Sequence, residues 1–140
     1  QWTDQQQKDA LQDIQAINLT QNYFPELTAN FFSDACMHNL QRIFLQQGSV
    51  GEDDEKGNSD VLSHFTFAVG LKHVNDQAFY PLKNIVELSL STNSIRNVPT
   101  KAIESLTNLR ILDLSFNKID HISNNSFREF VNLKVLMLNK

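Results

Sequence analysis

Apolar and polar positions recur along this chain at a fixed phase. Leu109, Leu112, Leu114, Asn117 and Ile119 follow the pattern L-x-x-L-x-L-x-x-N-x-I. Ile85, Leu88, Leu90, Asn93 and Ile95 stand 24 positions earlier, and Leu133, Leu136 and Leu138 stand 24 later. In Leu112-Asp113-Leu114 the leucines face one way and the aspartate the other, the period of a strand. Looser copies begin at Ile14 (with Ile17, Leu19, Asn22, Phe24), at Leu40 (with Ile43, Leu45, Gly48, Val50) and, one residue short, at Leu62 (with Phe65, Phe67, Gly70). The pattern predicts repeat starts at 14, 40, 62, 85, 109 and 133, each with a short strand, a turn and a return segment.

The return segments carry a second apolar pattern. Ile119, Ile122, Phe127 and Phe130 align with Ile95, Val98, Ile103 and Leu106. They also align with Leu71, Val74, Phe79 and Leu82, and in the first repeat with Phe24, Leu27 and Phe32. No repeat can bury this face alone, so neighbours must stack. Asn22, Asn93 and Asn117 stand where the chain leaves a strand, and an amide there can satisfy turn N–H and C=O groups. Gly48 and Gly70 take that place in two repeats, which predicts less well bonded coils.

Length and charge narrow the picture. The 140 residues suit one domain of about six coils, preceded at 1–13 by a cap or the tail of an earlier repeat. In that segment Thr3 can cap a short helix, with Ala10, Leu11 and Ile14 facing the first coil and Trp2 extending the cover. The formal charge is −4, and the 12 Lys and Arg are scattered, so no nucleic-acid footprint is expected. No apolar run approaches the ~20 residues of a membrane span. The chain begins at Gln1, after a removed signal or an arbitrary boundary. The acidic run at 51–60 reads as a solvated loop on the return side of the second coil. Its acids are consecutive and lack the alternating spacing of a calcium loop.

With these residues named, the chain resembles the extracellular leucine-rich repeat family, whose repeats run 20–29 residues. Over 61–140 it is similar to Toll-type receptor ectodomains and secreted insect immune proteins of this kind. The resemblance implies an α/β solenoid, a right-handed superhelix with a parallel concave sheet and an irregular convex side. It implies a non-enzymatic binding module without cofactor, working outside the cell, whose concave face holds a protein ligand or co-receptor, in innate immunity or cell-surface recognition. The disulfide-bonded caps common in that family are missing. The last repeat stops on a strand, so the chain is expected to be a piece of a longer array. Leu133, Leu136 and Leu138 would then offer an edge for stacking on another chain, the alternative role.

Candidate chemistry is sparse. Cys36 is the only cysteine. It is either a small buried hydrophobe or a bridge to another chain, and adjacency to His38 does not make it a nucleophile. His38, His64, His73 and His121 lack metal-ligand spacing. The sequons Asn18-Leu-Thr20 and Asn124-Asn-Ser126 fit glycosylation of a secreted protein, at Asn124 in a return loop and at Asn18 on the concave side. The strand positions that point outward are more informative. One row is Ala16, Arg42, His64, Glu87, Ile111 and Val135. The next is Asn18, Phe44, Thr66, Ser89, Asp113 and Met137. The last is Gln21, Gln47, Val69, Thr92, Phe116 and Lys140. From these, Phe44, His64, Glu87, Ile111, Asp113, Phe116 and Met137 are the candidate partner-binding residues, because contiguous apolar surface often marks an interface. Ser89 is expected to tolerate truncation.

Overall fold

The computed structural model describes residues 1, 3–22, 25–32, 37–46, 70–80 and 82–140. Helix α1 (Asp4–Gln12) opens with Thr3 as N-cap. Thr3 Oγ1 accepts from Gln6 N at 3.2 Å, and Gln6 Oε1 accepts from Thr3 N at 3.0 Å. This reciprocal box satisfies two amides that the first turn leaves without partners. Leu11 and Ile14 are half-buried, as expected, but Ala10 is exposed. Trp2 lies outside the described residues.

Five three-residue strands follow: β1 (Ala16–Asn18), β3 (Arg42–Phe44), β5 (Glu87–Ser89), β6 (Ile111–Asp113) and β7 (Val135–Met137). They form one parallel sheet in the order β1-β3-β5-β6-β7. Two-residue strands β2 (Glu26–Leu27) and β4 (His73–Val74) pair on the return side, and the turn helix α2 (Thr100–Ile103) follows in the third return segment.

β3 pairs directly with β5, Arg42 opposite Glu87 and Ile43 opposite Leu88. Leu71 aligns with Ile95 one coil later. Its N–H is bonded by Asn93 Oδ1 at 2.9 Å, just as Ile95 N–H is bonded by Asn117 Oδ1 at 3.0 Å. Leu62, Phe65 and Phe67 copy the apolar spacing of the motif without the asparagine that anchors a coil to its neighbour. Those three residues lie outside the described residues.

The strands' inward leucines and the return segments make one core. Ile43, Leu88 and Leu112 are fully buried in a row, and so are Leu27, Leu71, Phe79, Ile95, Ile103 and Leu106 from the return side. Phe32 stacks on Phe79 with centroids 5.8 Å apart. The alignment of return segments holds except at its C-terminal end, where Ile122 is 42% exposed. Leu136 is 37% exposed, while Leu112, its neighbour in the same row, is at 0%. Burial of an inward leucine is thus supplied by the coil on each side.

Candidate functional site

Two asparagine ladders hold the sheet in shape. Asn93 Nδ2 donates to Leu90 O and Ser91 O within its own turn and reaches back to Leu45 O at 2.8 Å. Asn117 repeats this with Leu114 O, Ser115 O and, in the coil before, Leu90 O at 2.8 Å. Asn22 is exposed and donates to Thr20 O at 3.2 Å. The second ladder runs before each first strand residue. Asn39, Asn84, Asn108 and Asn132 each donate to a carbonyl of the preceding coil, those of Gln12, His38, Lys83 and Thr107, at 2.7–3.1 Å. Sequence reasoning missed this ladder. Its trace is a recurring Asn directly before the first apolar residue of the motif.

At the other end of β1, β5 and β6 the backbone turns through the left-handed region. Gln21, Thr92 and Phe116 have φ of 61°, 54° and 55°. Each N–H donates to the next coil, with Thr92 to Ser115 O at 2.9 Å and Phe116 to Asn139 O at 2.7 Å. Left-handed φ is uncommon for a branched or aromatic residue and is strained. Its recurrence at one phase shows that the coil geometry imposes it.

These devices place the outward residues in the rows expected from sequence. Ala16, Arg42, Glu87, Ile111 and Val135 stand side by side, as do Asn18, Phe44, Ser89, Asp113 and Met137. The two halves of this face differ. Toward β5, Gln46 Nε2 donates to Ser91 Oγ at 2.8 Å and lies 3.4 Å from Ser89 Oγ, and the two serine hydroxyls are 3.2 Å apart. Ser89 is consequently buried at 4%. Toward β7 the surface turns apolar. Phe116 is 55% exposed and Val135 43%, beside half-buried Ile111 and Met137. Asp113 Oδ1 accepts from Ser115 N at 2.9 Å, so this carboxylate shapes its own turn as well as facing outward.

The other candidates are spread out. His64 and Cys36 lie outside the described residues. Asn18 is exposed, with Oδ1 accepting from Thr20 N at 3.0 Å, and Asn124 is exposed on the return side. Ser126 of the second sequon is buried, and its hydroxyl accepts from Ser123 N at 3.0 Å. Among the described residues no three His, Cys, Asp or Glu side chains gather into a metal-sized group, and no helix is long and apolar enough to cross a membrane.

Comparison with known proteins agrees with this geometry. The family model described as Leucine rich repeat matches residues 69–119 and 83–140. The leucine-rich repeat domain of APL1B superimposes with a TM-score of 0.68 at 17% identity, covering 94% of this chain and 32% of that one. TLR13, solved in complex with ssRNA13, gives 0.67 at 23% identity, covering 89% of this chain and 15% of its own. Toll, solved in the Toll–Spatzle complex of Drosophila, gives 0.58 at 22% identity, covering 91% and 17%. At these identities the likeness is one of fold, and the chain spans a third or less of each of these structures. No curated protein matches the chain by sequence.

Proposed function

Because this chain belongs to the leucine-rich repeat family, a fold of binding scaffolds, we propose that it is an extracellular module that holds a protein partner against its concave sheet. The observation that carries this reading is the apolar corner across β6 and β7. Ile111 lies beside Val135 and Asp113 beside Met137, and Phe116 stands more than half exposed at the end of β6. Exposed aromatic and aliphatic side chains in one patch are what a protein interface covers. Phe44 and Glu87 extend the surface toward the middle of the sheet, and His64 completes the set proposed from sequence. The reading extends to immune or cell-surface recognition, and what supports it is the likeness in fold to Toll, whose complex with Spatzle belongs to development and innate immunity. Glycans on Asn124 and Asn18 would accompany secretion. One on Asn18 would cover the β1 end of the sheet and leave β6 and β7 open. A protein ligand is favoured over nucleic acid by the net charge of −4.

The test is capture of partners from extracellular fluid by the intact chain and two variants. Ile111→Thr with Phe116→Gly should abolish capture of whatever the parent chain retains. Asn97→Ala with His121→Ala and Arg128→Ala, on the return side, should leave it intact. Loss through the return-side variant alone would refute the concave assignment.

A second reading is assembly through the β7 end or through Cys36, favoured by Leu136 at 37% and Ile122 at 42% exposure. If it holds, sedimentation of the chain will show concentration-dependent association that Leu136→Lys removes. A monomer at every concentration would dismiss it.

A further inference from the structure

A polar groove of about 290 Å³ runs along the edge of the sheet where the strands begin, outside the three outward rows. Gln41, Asn84, Val86, Asn108, Arg110 and Asn132 line it. Asn84, Asn108 and Asn132 follow one another at 24 residues and stand in three successive coils. Each gives an amide N–H to a carbonyl of the coil before, to His38 O at 2.7 Å, Lys83 O at 3.1 Å and Thr107 O at 2.8 Å. A backbone carbonyl can only accept, so these contacts fix the sense of each amide. One oxygen and one N–H of each amide are left over. They find no partner among the described residues, and all three side chains are exposed. The ladder's backbone bonds account for the asparagines alone. The side chains of Gln41 and Arg110, exposed at the same groove, donate to no carbonyl among the described residues.

The spacing selects the ligand. Successive amides are one coil apart, the separation of hydrogen-bonded strands, about 4.8 Å. A pyranose unit in a straight, β-linked chain has about this length, so one sugar falls on each amide. An extended peptide advances only about 3.3 Å per residue and loses that register at the second amide. The chemistry agrees with the spacing. A carboxamide with a free oxygen and a free N–H accepts from one hydroxyl and donates to the next, and a hydroxyl does both. Half-buried Val86 offers the C–H face of a sugar ring an apolar seat. A few convergent polar groups beside an apolar one are what a small-ligand site uses to fix orientation.

We propose that this groove binds a neutral, β-linked oligosaccharide laid across the coils, one sugar on each of Asn84, Asn108 and Asn132, with Gln41 and Arg110 as further donors. The site is separate from the concave surface and does not require it to be occupied.

The test is calorimetric titration of the full chain with cellotriose and triacetylchitotriose, with the monomer of each, and with maltotriose, whose α-links turn the chain away from a straight line. Saturable binding of at least one β-linked trimer is expected, at least about tenfold tighter than its monomer, because each further sugar adds its own hydrogen bonds. Maltotriose should bind clearly less tightly. Gln41→Ala with Arg110→Ala leaves every asparagine bond of the ladder in place and should weaken the trimer by at least about tenfold, two hydrogen bonds' worth. Asn108→Ala removes the middle seat and should weaken it as much, with the denaturant midpoint showing that the coil is still folded. Asn97→Ala with His121→Ala, on the return side, should change nothing. The proposal is overturned if neither trimer binds saturably, if maltotriose binds as tightly, or if the Gln41 and Arg110 variant keeps the parent affinity.

Discussion

The coils that begin at Leu109 and Leu133 place leucines at the same three motif positions, yet they sit in different solvents. Leu109, Leu112 and Leu114 are exposed by 2% or less, while Leu136 is 37% exposed and Leu133 and Leu138 are half-buried. Sequence and local geometry are shared; the difference is a coil packed on both sides against a coil packed on one. In a solenoid the apolar pattern names the inward residues, and the neighbours determine how much they contribute.

The widest separation should come from truncating the same row in the two coils. Leu112→Ala should lower unfolding free energy by about 2–5 kcal/mol, as a buried leucine deletion does. Leu136→Ala, at a site already open to water, should cost clearly less. Equal shifts in denaturant midpoint would mean that neighbour packing is not what distinguishes the coils. A step smaller, Asn117→Ala should cost about 1–3 kcal/mol by stranding the Ile95 N–H, which Asn117 Oδ1 accepts. Asn22→Ala, at an exposed position, should cost clearly less in the same denaturation series. Smaller again, Ser89→Ala should cost about 1 kcal/mol by breaking the Gln46–Ser89–Ser91 cluster. Gln46→Ala should leave Ser89→Ala with less to lose, which a double-mutant cycle would read.

Much of this was legible beforehand, and the failures have physical causes. The rows of outward residues follow from the strand period alone, which is why the described members of the first two rows reappear in the sheet register. The motif asparagines were readable because Asn93 and Asn117 share a phase and a turn chemistry. Asn39, Asn84, Asn108 and Asn132 share a phase too, but they lie outside the strand motif on an exposed edge, where amides usually meet water. The motif residues of the repeat expected to start at Leu62 lie outside the described residues. Burial of Ser89 involves Gln46 reaching over from the preceding coil, a contact between positions 43 residues apart. The left-handed turn at Phe116 had no trace in residue type, since only glycine or asparagine would have announced it.

That same residue offers the most direct test of the concave assignment. Phe116→Gly removes the most exposed aromatic of the apolar corner while relieving its φ of 55°, which glycine adopts without strain. The loss of one strain against the gain in unfolded-chain entropy should leave stability within about 0.5 kcal/mol of the parent. With the fold unchanged, the affinity of the captured partner for Phe116→Gly should be at least about tenfold weaker than for the parent chain, the loss expected of an interface anchor. Unchanged affinity, measured on a variant of unchanged stability, would contradict the claim that this corner of the sheet is the binding surface.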